Sequence, residues 1–437
     1  MMRAGMAVMR RQVRHLVNIA SFVLTRLLAI GAFAASVPLF IRSASAAEYG
    51  VVAVGFSLLG LSLVLDVALG YVTTQSVGRR LARTGAIHPA LVSKVMAAYL
   101  LLSLVMALAL WCSIWAWLGM SAAQKSLYLW LPLLLPCLSV SGVAGAVLQA
   151  HHELAYLNLS RFSFELGKAI AIAVSGWAFG SVAAIGPILL AVVVLRAAGD
   201  VFVLRKRLGY ALGRPSLRGL RRTFPLLRLG LPALGIVLLT LSVSIGDKLL
   251  VAAWFSPEAV AWYSAAFDIN TKAYLLASAV NATMLSVIVR NHALRRGVDR
   301  QIAPGVAVAL LLALIYYIPV MFYAKDILSI WISPEFAAGS AGLARIMAAA
   351  SIVYLIGNPF EVALLGMGGA KYVLLVYLAG VAGYFASVPF TVHAAGLAGF
   401  MWSYLLLSVV LAAGWVIVYR RKRRDHRPIS PSTPTPA

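Results

Sequence analysis

The sequence predicts an all-α, polytopic membrane protein with about twelve transmembrane helices in two six-helix lobes related by a parallel repeat. Three observations carry that prediction. The 437 residues are 62% apolar and only 11% charged, against roughly 45 to 50% apolar in soluble domains. The apolar residues fall in runs long enough to span a bilayer, at ~20 residues each. Between the runs, Lys and Arg are rich and poor in alternation, as membrane topology requires.

Taken in order, the first run covers residues 16–41. It follows MMRAGMAVMRRQVRH, and Ala44-Ser45-Ala46 comes after it, a superficial likeness to a signal peptide and its cleavage site. The run is too long for a signal h-region and holds Arg26, so it reads as a first transmembrane helix. Further spans are predicted over 48–75, 91–118, 126–150, 154–177 and 182–204. A second set follows over 229–254, 260–289, 302–323, 342–366, 371–392 and 396–419. Between the sets lies RKRLGYALGRPSLRGLRRTFPLLR, residues 205–228, the only long polar interruption. It carries eight Lys/Arg and no acid, with Gly209, Gly213, Pro215 and Gly219 opposing a long helix. The expected organisation is therefore a lobe over 1–204, a basic linker over 205–228, a lobe over 229–419 and a disordered basic, Pro-rich tail over 420–437.

Charge sets the orientation. The N-terminus, the linker, the C-terminus and the loops after even-numbered spans hold most loop cations, whereas the opposite loops hold only Arg42, Lys125 and Lys325. Both termini are expected in the cytoplasm, with the chain multi-pass in the cytoplasmic (inner) membrane. The net charge of +24 belongs to this topology and not to nucleic-acid binding. Cys112 and Cys137 lie inside apolar runs, which leaves no disulfide framework and no metal-ligand spacing. No loop is long enough for a soluble domain, and no phosphate loop, HExxH or GxSxG element is present. The expectation is a protein that is not an enzyme, needs no cofactor or metal and works within the membrane.

The halves repeat. RSASAAEYGVVAVGF (Arg42 to Phe56) fills the turn between spans 1 and 2, and WFSPEAVAWYSAAF (Trp254 to Phe267) that between spans 7 and 8. LQAHHELAYL and LGMGGAKYVL likewise fill the turns after spans 4 and 10. Because each half has an even number of spans, the second repeats the orientation of the first, as in parallel-repeat transporters, which places a substrate site between lobes near the midplane.

At these same residues the chain resembles polysaccharide-repeat-unit flippases (Wzx type) of the MATE-like MOP superfamily. The likeness is carried by Arg42-Ser-Ala-Ser-Ala-Ala-Glu48-Tyr49-Gly50 with Leu65-Asp66, and by Gly246-Asp247-Lys248-Leu249-Leu250 with Ser256-Pro257-Glu258-Ala259. Gly396-Leu397-Ala398-Gly399 adds to it. Ala68 and Ala261 stand where the family usually has Gly. The resemblance implies a flippase that moves a polyprenyl-pyrophosphate-linked oligosaccharide across the membrane for O-antigen or exopolysaccharide synthesis. The partners it implies are that lipid-linked glycan, the lipid bilayer and other polysaccharide-assembly proteins.

Ionisable residues inside spans are costly and therefore mark candidate sites. By a rise of ~1.5 Å per residue, Arg26 lies about 15 Å into span 1, while Asp268 and Lys272 lie about 12 and 18 Å into span 8. Arg26 and Lys272 thus occupy similar depths in corresponding positions, suited to a pyrophosphate through charge-assisted hydrogen bonds. Lys272 also lies one turn from Asp268, which can neutralise it. Arg161, Glu165 and Lys168 form a charged stripe on span 5. Arg161 and Lys168 join the expected substrate site. Asp66, Glu165, Asp268 and Glu361 are the coupling candidates, Glu361 beside an expected kink at Asn358-Pro359. Arg196 and Asp200 read as a structural pair, and Asp247-Lys248 as a snorkelling pair at the end of span 7. The rival readings are a MATE-type multidrug exporter with an acidic cavity, and a membrane glycan polymerase or ligase, a class that needs a larger outer loop.

Overall fold

The computed structural model describes residues 24–62, 89–116, 120–151, 153–209, 217–293 and 298–425. Every regular element among them is helical. In chain order they are α1 (Leu24–Ser43), α2 (Ala46–Leu59), α3 (Pro89–Ala116), α4 (Ala122–Tyr128), α5 (Leu131–Ala150) and α6 (Leu154–Val174). There follow α7 (Ile185–Leu208), α8 (Leu217–Trp254), α9 (Pro257–Ala293), α10 (Asp299–Leu312), α11 (Ile318–Trp331), α12 (Pro334–Gly366), α13 (Ala370–Ala395) and α14 (Ala398–Asp425). Ten segments among the described residues are long and apolar enough to cross a membrane. With α2 and the less apolar α9, they reproduce the order of the twelve predicted spans.

Helices run past two of the expected boundaries. The stretch 205–228 is largely helical at both ends: α7 runs to Leu208, and α8 starts at Leu217 and continues through Gly219 and Pro225. Gly219 falls in the first turn, where backbone N–H groups have no intrahelical partner to lose. At the C-terminus, α14 extends to Asp425, so Arg420 to Asp425 are helical. Pro359 also lies inside an unbroken α12; the departure from helical geometry comes instead at Tyr323 in α11.

The chain packs as two compact units, Met1–Ala261 and Trp262–Ala437. In the first, the hydroxyl of Ser45 caps α2 by accepting from Glu48 N at 3.1 Å. Tyr128 of α4, fully buried, donates to the carbonyl of Val51 at 3.1 Å and ties α4 to α2. Gly50 of α2 sits so close to the α8–α9 turn that a Cβ there would lie 2.1 Å from the carbonyl oxygen of Pro257. The two repeated turns of the sequence therefore meet through a glycine. Elsewhere in this unit α3 packs on α5 through Val92, Tyr99, Val143 and Val147.

In the second unit α12 and α14 pack along their lengths, with Trp415 of α14 fully buried. A π-helical turn at Ala313–Tyr317 joins α10 to α11. Its two tyrosines donate to main-chain carbonyls of α9, Tyr316 to Ile269 and Tyr317 to Asn270, the latter at 2.9 Å. Large apolar side chains such as Leu195, Phe322 and Phe390 are exposed along the spanning helices, the arrangement expected where lipid takes the place of water.

Candidate functional site

The most developed polar site among the described residues lies inside the second unit, around Glu361. This residue is 7% exposed within α12. A polar face on α12 is spelled by Tyr354, Asn358 and Glu361, spaced four and three apart, which puts them on one side of the helix. Asn358 Nδ2 donates to Glu361 Oε2 at 2.8 Å, and the Tyr377 hydroxyl of α13 donates to Oε1 at 3.3 Å. Asn281 and Tyr274 of α9 both donate to Asn358 Oδ1, Tyr274 at 3.4 Å. The Tyr354 and Tyr377 hydroxyls lie 3.3 Å apart, and both rings pack on Trp415. Residues of α12 and α13 thus reach the carboxyl group directly, and α9 reaches it through Asn358.

Among the described residues no Lys or Arg pairs with Glu361. The hydrogen bonds to it come from neutral donors, Asn358 and Tyr377, and an ionisable group so enclosed in a span marks a candidate site. Asn281 and Asn358 also line a small cavity with Ala277, Gly305, Ala309 and Pro359, with room for about one water molecule. The arrangement offers a buried acid, a hydrogen-bonded relay of Tyr and Asn, and a place for a water beside it. Sequence reasoning found Glu361 but missed Tyr274, Asn281, Tyr354 and Tyr377. The signal was present as polar residues at helical spacing in otherwise apolar runs.

The first unit holds a second charged cluster, on α6 and α7. Lys168 lies 2.8 Å from Glu165, and its ammonium group faces the rings of Phe164 and Phe56 at 5.1 and 5.9 Å. Arg196 of α7 donates to Ser160 Oγ at 3.1 Å, and Ser160 in turn donates to Asp200 Oδ2 at 3.0 Å. Arg196 also lies 3.8 Å from Asp200 and over the Phe164 ring. The expected Arg196–Asp200 pair is therefore present, with Ser160 as its bridge.

The remaining candidates lie on α1, α6 and α9 or outside the described residues. Arg26 is partly buried on α1, Arg161 is exposed on α6, and Asp268 is partly buried on α9. Lys272 lies on α9, but its side chain is outside the described residues, and so is Asp66 altogether. Asp247 and Lys248, expected to snorkel, are instead 0% and 7% exposed on α8, a helix that packs against α2 and α3. Among the described residues no group of His, Cys, Asp and Glu is placed to hold a metal ion.

Comparison with known proteins places this architecture. Residues 232–392 match the MatE family model. No curated protein matches the sequence. An inward-facing multidrug resistance MATE family transporter of the MOP superfamily superposes with a TM-score of 0.74 at 16% identity, covering 95% of this chain and 99% of that one. The lipid II flippase MurJ, in an inward closed conformation, also superposes at 0.74, with 11% identity and 91% and 87% coverage. A MOP superfamily transporter from Pyrococcus furiosus, described as having a binding pocket of reverse polarity, gives 0.68 at 15% identity over 96% of both chains. The chain is thus a multi-pass membrane protein that shares its fold with the multidrug resistance MATE family transporter and with the lipid II flippase MurJ.

Proposed function

We propose that this protein is a flippase that moves a polyprenyl-pyrophosphate-linked oligosaccharide from the cytoplasmic to the outer leaflet of the inner membrane. The observation that carries the reading is the presence of cations within the spans, Arg26, Arg161, Lys168 and Arg196 among them, in a fold that also belongs to a lipid II flippase. Cations at such depth suit an anionic headgroup and oppose a cationic drug. Within the same fold, a reversed pocket polarity in the Pyrococcus furiosus transporter was likewise read as a sign of different function.

In this account the lobes are residues 1–204 and 229–419, joined by 205–228, with both termini in the cytoplasm. The pyrophosphate is anchored by Arg26 and Lys272, whose guanidinium and ammonium groups donate to its oxygens. Arg161 and Lys168 extend the anionic site, Lys168 after exchanging its partner Glu165 for phosphate. Glu361 couples transport to a proton or cation, because its neutral and charged forms change the hydrogen-bond demand on Asn358 and Tyr377. Asp66, Glu165 and Asp268 are the further coupling carboxylates. The lipid tail stays in the bilayer while the lobes alternate access, and no covalent bond is made or broken.

The test is the sidedness of lipid-linked oligosaccharides in a strain lacking the protein. Accumulation of completed units on the cytoplasmic face supports the reading. Normal lipid-linked glycans with raised sensitivity to cationic drugs overturn it in favour of a MATE-type exporter. The match of residues 232–392 to the MatE family model favours that second reading, and the Glu361 network serves it equally well.

A further inference from the structure

The end of α14 carries Arg420, Arg421, Lys422, Arg423 and Arg424 in succession. Such a run at the end of a membrane helix usually reads as a simple topological signal. Here it is built into the protein. The Tyr419 hydroxyl donates to Asp299 Oδ1 at 2.5 Å, and Arg423 Nη2 lies 3.0 Å from Asp299 Oδ2. Lys422 Nζ donates to the carbonyl of Met367 at 2.8 Å. These three contacts fix the last turns of α14 against the start of α10 and the α12–α13 turn.

That anchoring brings two like charges together. Lys422 Nζ lies 5.8 Å from the centre of the Tyr372 ring, and Lys371 Nζ lies 4.9 Å from the same centre. Beside them Gly368 holds a positive φ of 70° with nothing within 4 Å of the position a Cβ would take. The surface there is open. Among the described residues no Asp or Glu pairs with Lys371, Lys422, Arg420 or Arg421, since Asp299 is engaged by Arg423 and Tyr419. Lys371, Tyr372, Arg420 and Arg421 are exposed. Tyr372 begins a spanning helix, α13, and so sits at the depth where aromatic side chains meet headgroups.

We infer that Lys371, Tyr372 and Lys422, with Arg420 and Arg421, form a binding site for the phosphate of an anionic phospholipid in the leaflet from which α14 emerges. The membrane is the polyanion this helix end necessarily meets. Two ammonium groups held on one ring, neither paired with an Asp or Glu among the described residues, present a preorganised pair of donors to a phosphodiester. The inference holds for either orientation of the chain and for either transport reading.

Native mass spectrometry of the full-length protein with phosphatidylglycerol or phosphatidylcholine tests it, using Lys371→Gln, Lys422→Gln and the double variant. The charge is lost at 422 while the contacts of Tyr419 and Arg423 with Asp299 still hold the end of α14. Each substitution is expected to weaken phosphatidylglycerol binding about fivefold, and both together roughly thirtyfold. Lys325→Gln, on α11 near the other end of its span, should leave binding unchanged. Wild-type affinity in the double variant overturns the proposal, as does equal binding of phosphatidylcholine. Displacement of the lipid by millimolar inorganic phosphate also overturns it, because the site then recognises the free anion.

Discussion

Replacing Gly50 with Ala tests how the two repeated turns are joined. A Cβ at this position would stand 2.1 Å from the Pro257 carbonyl oxygen and 3.1 Å from its carbon. Relieving the overlap requires a movement of about 1 Å, and the atoms in the way are backbone of the α8–α9 turn, which cannot rotate aside as a side chain does. Overpacking of this kind costs about 1 to 3 kcal/mol, and the rigidity of the neighbour puts Gly50→Ala near the upper end. In a chain of this size that corresponds to a fall in melting temperature of roughly 3 °C. Purified protein in detergent, followed by intrinsic fluorescence on heating, measures it. Gly31→Ala and Gly342→Ala are the controls: both glycines lie in helices with nothing within 4 Å of an added Cβ. Alanine there should leave the melting temperature unchanged or raise it, since Ala is the better helix former by up to ~1 kcal/mol. Equal melting temperatures for Gly50→Ala and wild type would refute the close contact between the turns.

Three other outcomes follow from the geometry. Glu361→Ala leaves the Asn358 amide and the Tyr377 hydroxyl without their acceptor and should cost about 1 to 3 kcal/mol, whereas Glu361→Gln should fold normally yet lose ion-coupled transport; thermal melting and a transport assay separate the two effects. Removing one member of the buried Arg196–Asp200 pair, as Arg196→Met or Asp200→Leu, should cost about 3 to 5 kcal/mol, and the double variant less than either single change, measured as a double-mutant cycle on thermal stability. Tyr419→Phe removes the hydrogen bond to Asp299 and should speed amide exchange at the start of α10, read by hydrogen–deuterium exchange, with α13 amides unaffected.

The order of the helices was legible because a spanning helix must be long and apolar, and composition alone enforces that. Their ends were not. Polar residues cap them: Ser333 accepts from Phe336 N at 3.2 Å, and α12 therefore begins at Pro334, well before the apolar run that marks its centre. In the same way α14 continues through Arg420 to Arg423 because Asp299 and the Met367 carbonyl receive their donors. Of the site, Glu361 was legible as an acid in an apolar span. Its partners were not, since Tyr377 meets Glu361, and Tyr274 and Asn281 meet Asn358, only through the rotation of α13 and α9 about their axes, which hydropathy does not specify. The burial of Asp247 and Lys248 was hidden for a related reason: nearness to a helix end does not by itself give a side chain access to water.

The most direct test of the flippase account uses purified protein in proteoliposomes that carry a fluorescent polyprenyl-pyrophosphate oligosaccharide, with a membrane-impermeant quencher added to one side. Wild-type protein should bring the glycan to the other leaflet, and Arg26→Ala, inserted in equal amount, should not. Glycan that stays on its original side with wild-type protein, while a cationic dye is expelled from the same vesicles, would contradict the account and assign the fold to drug export.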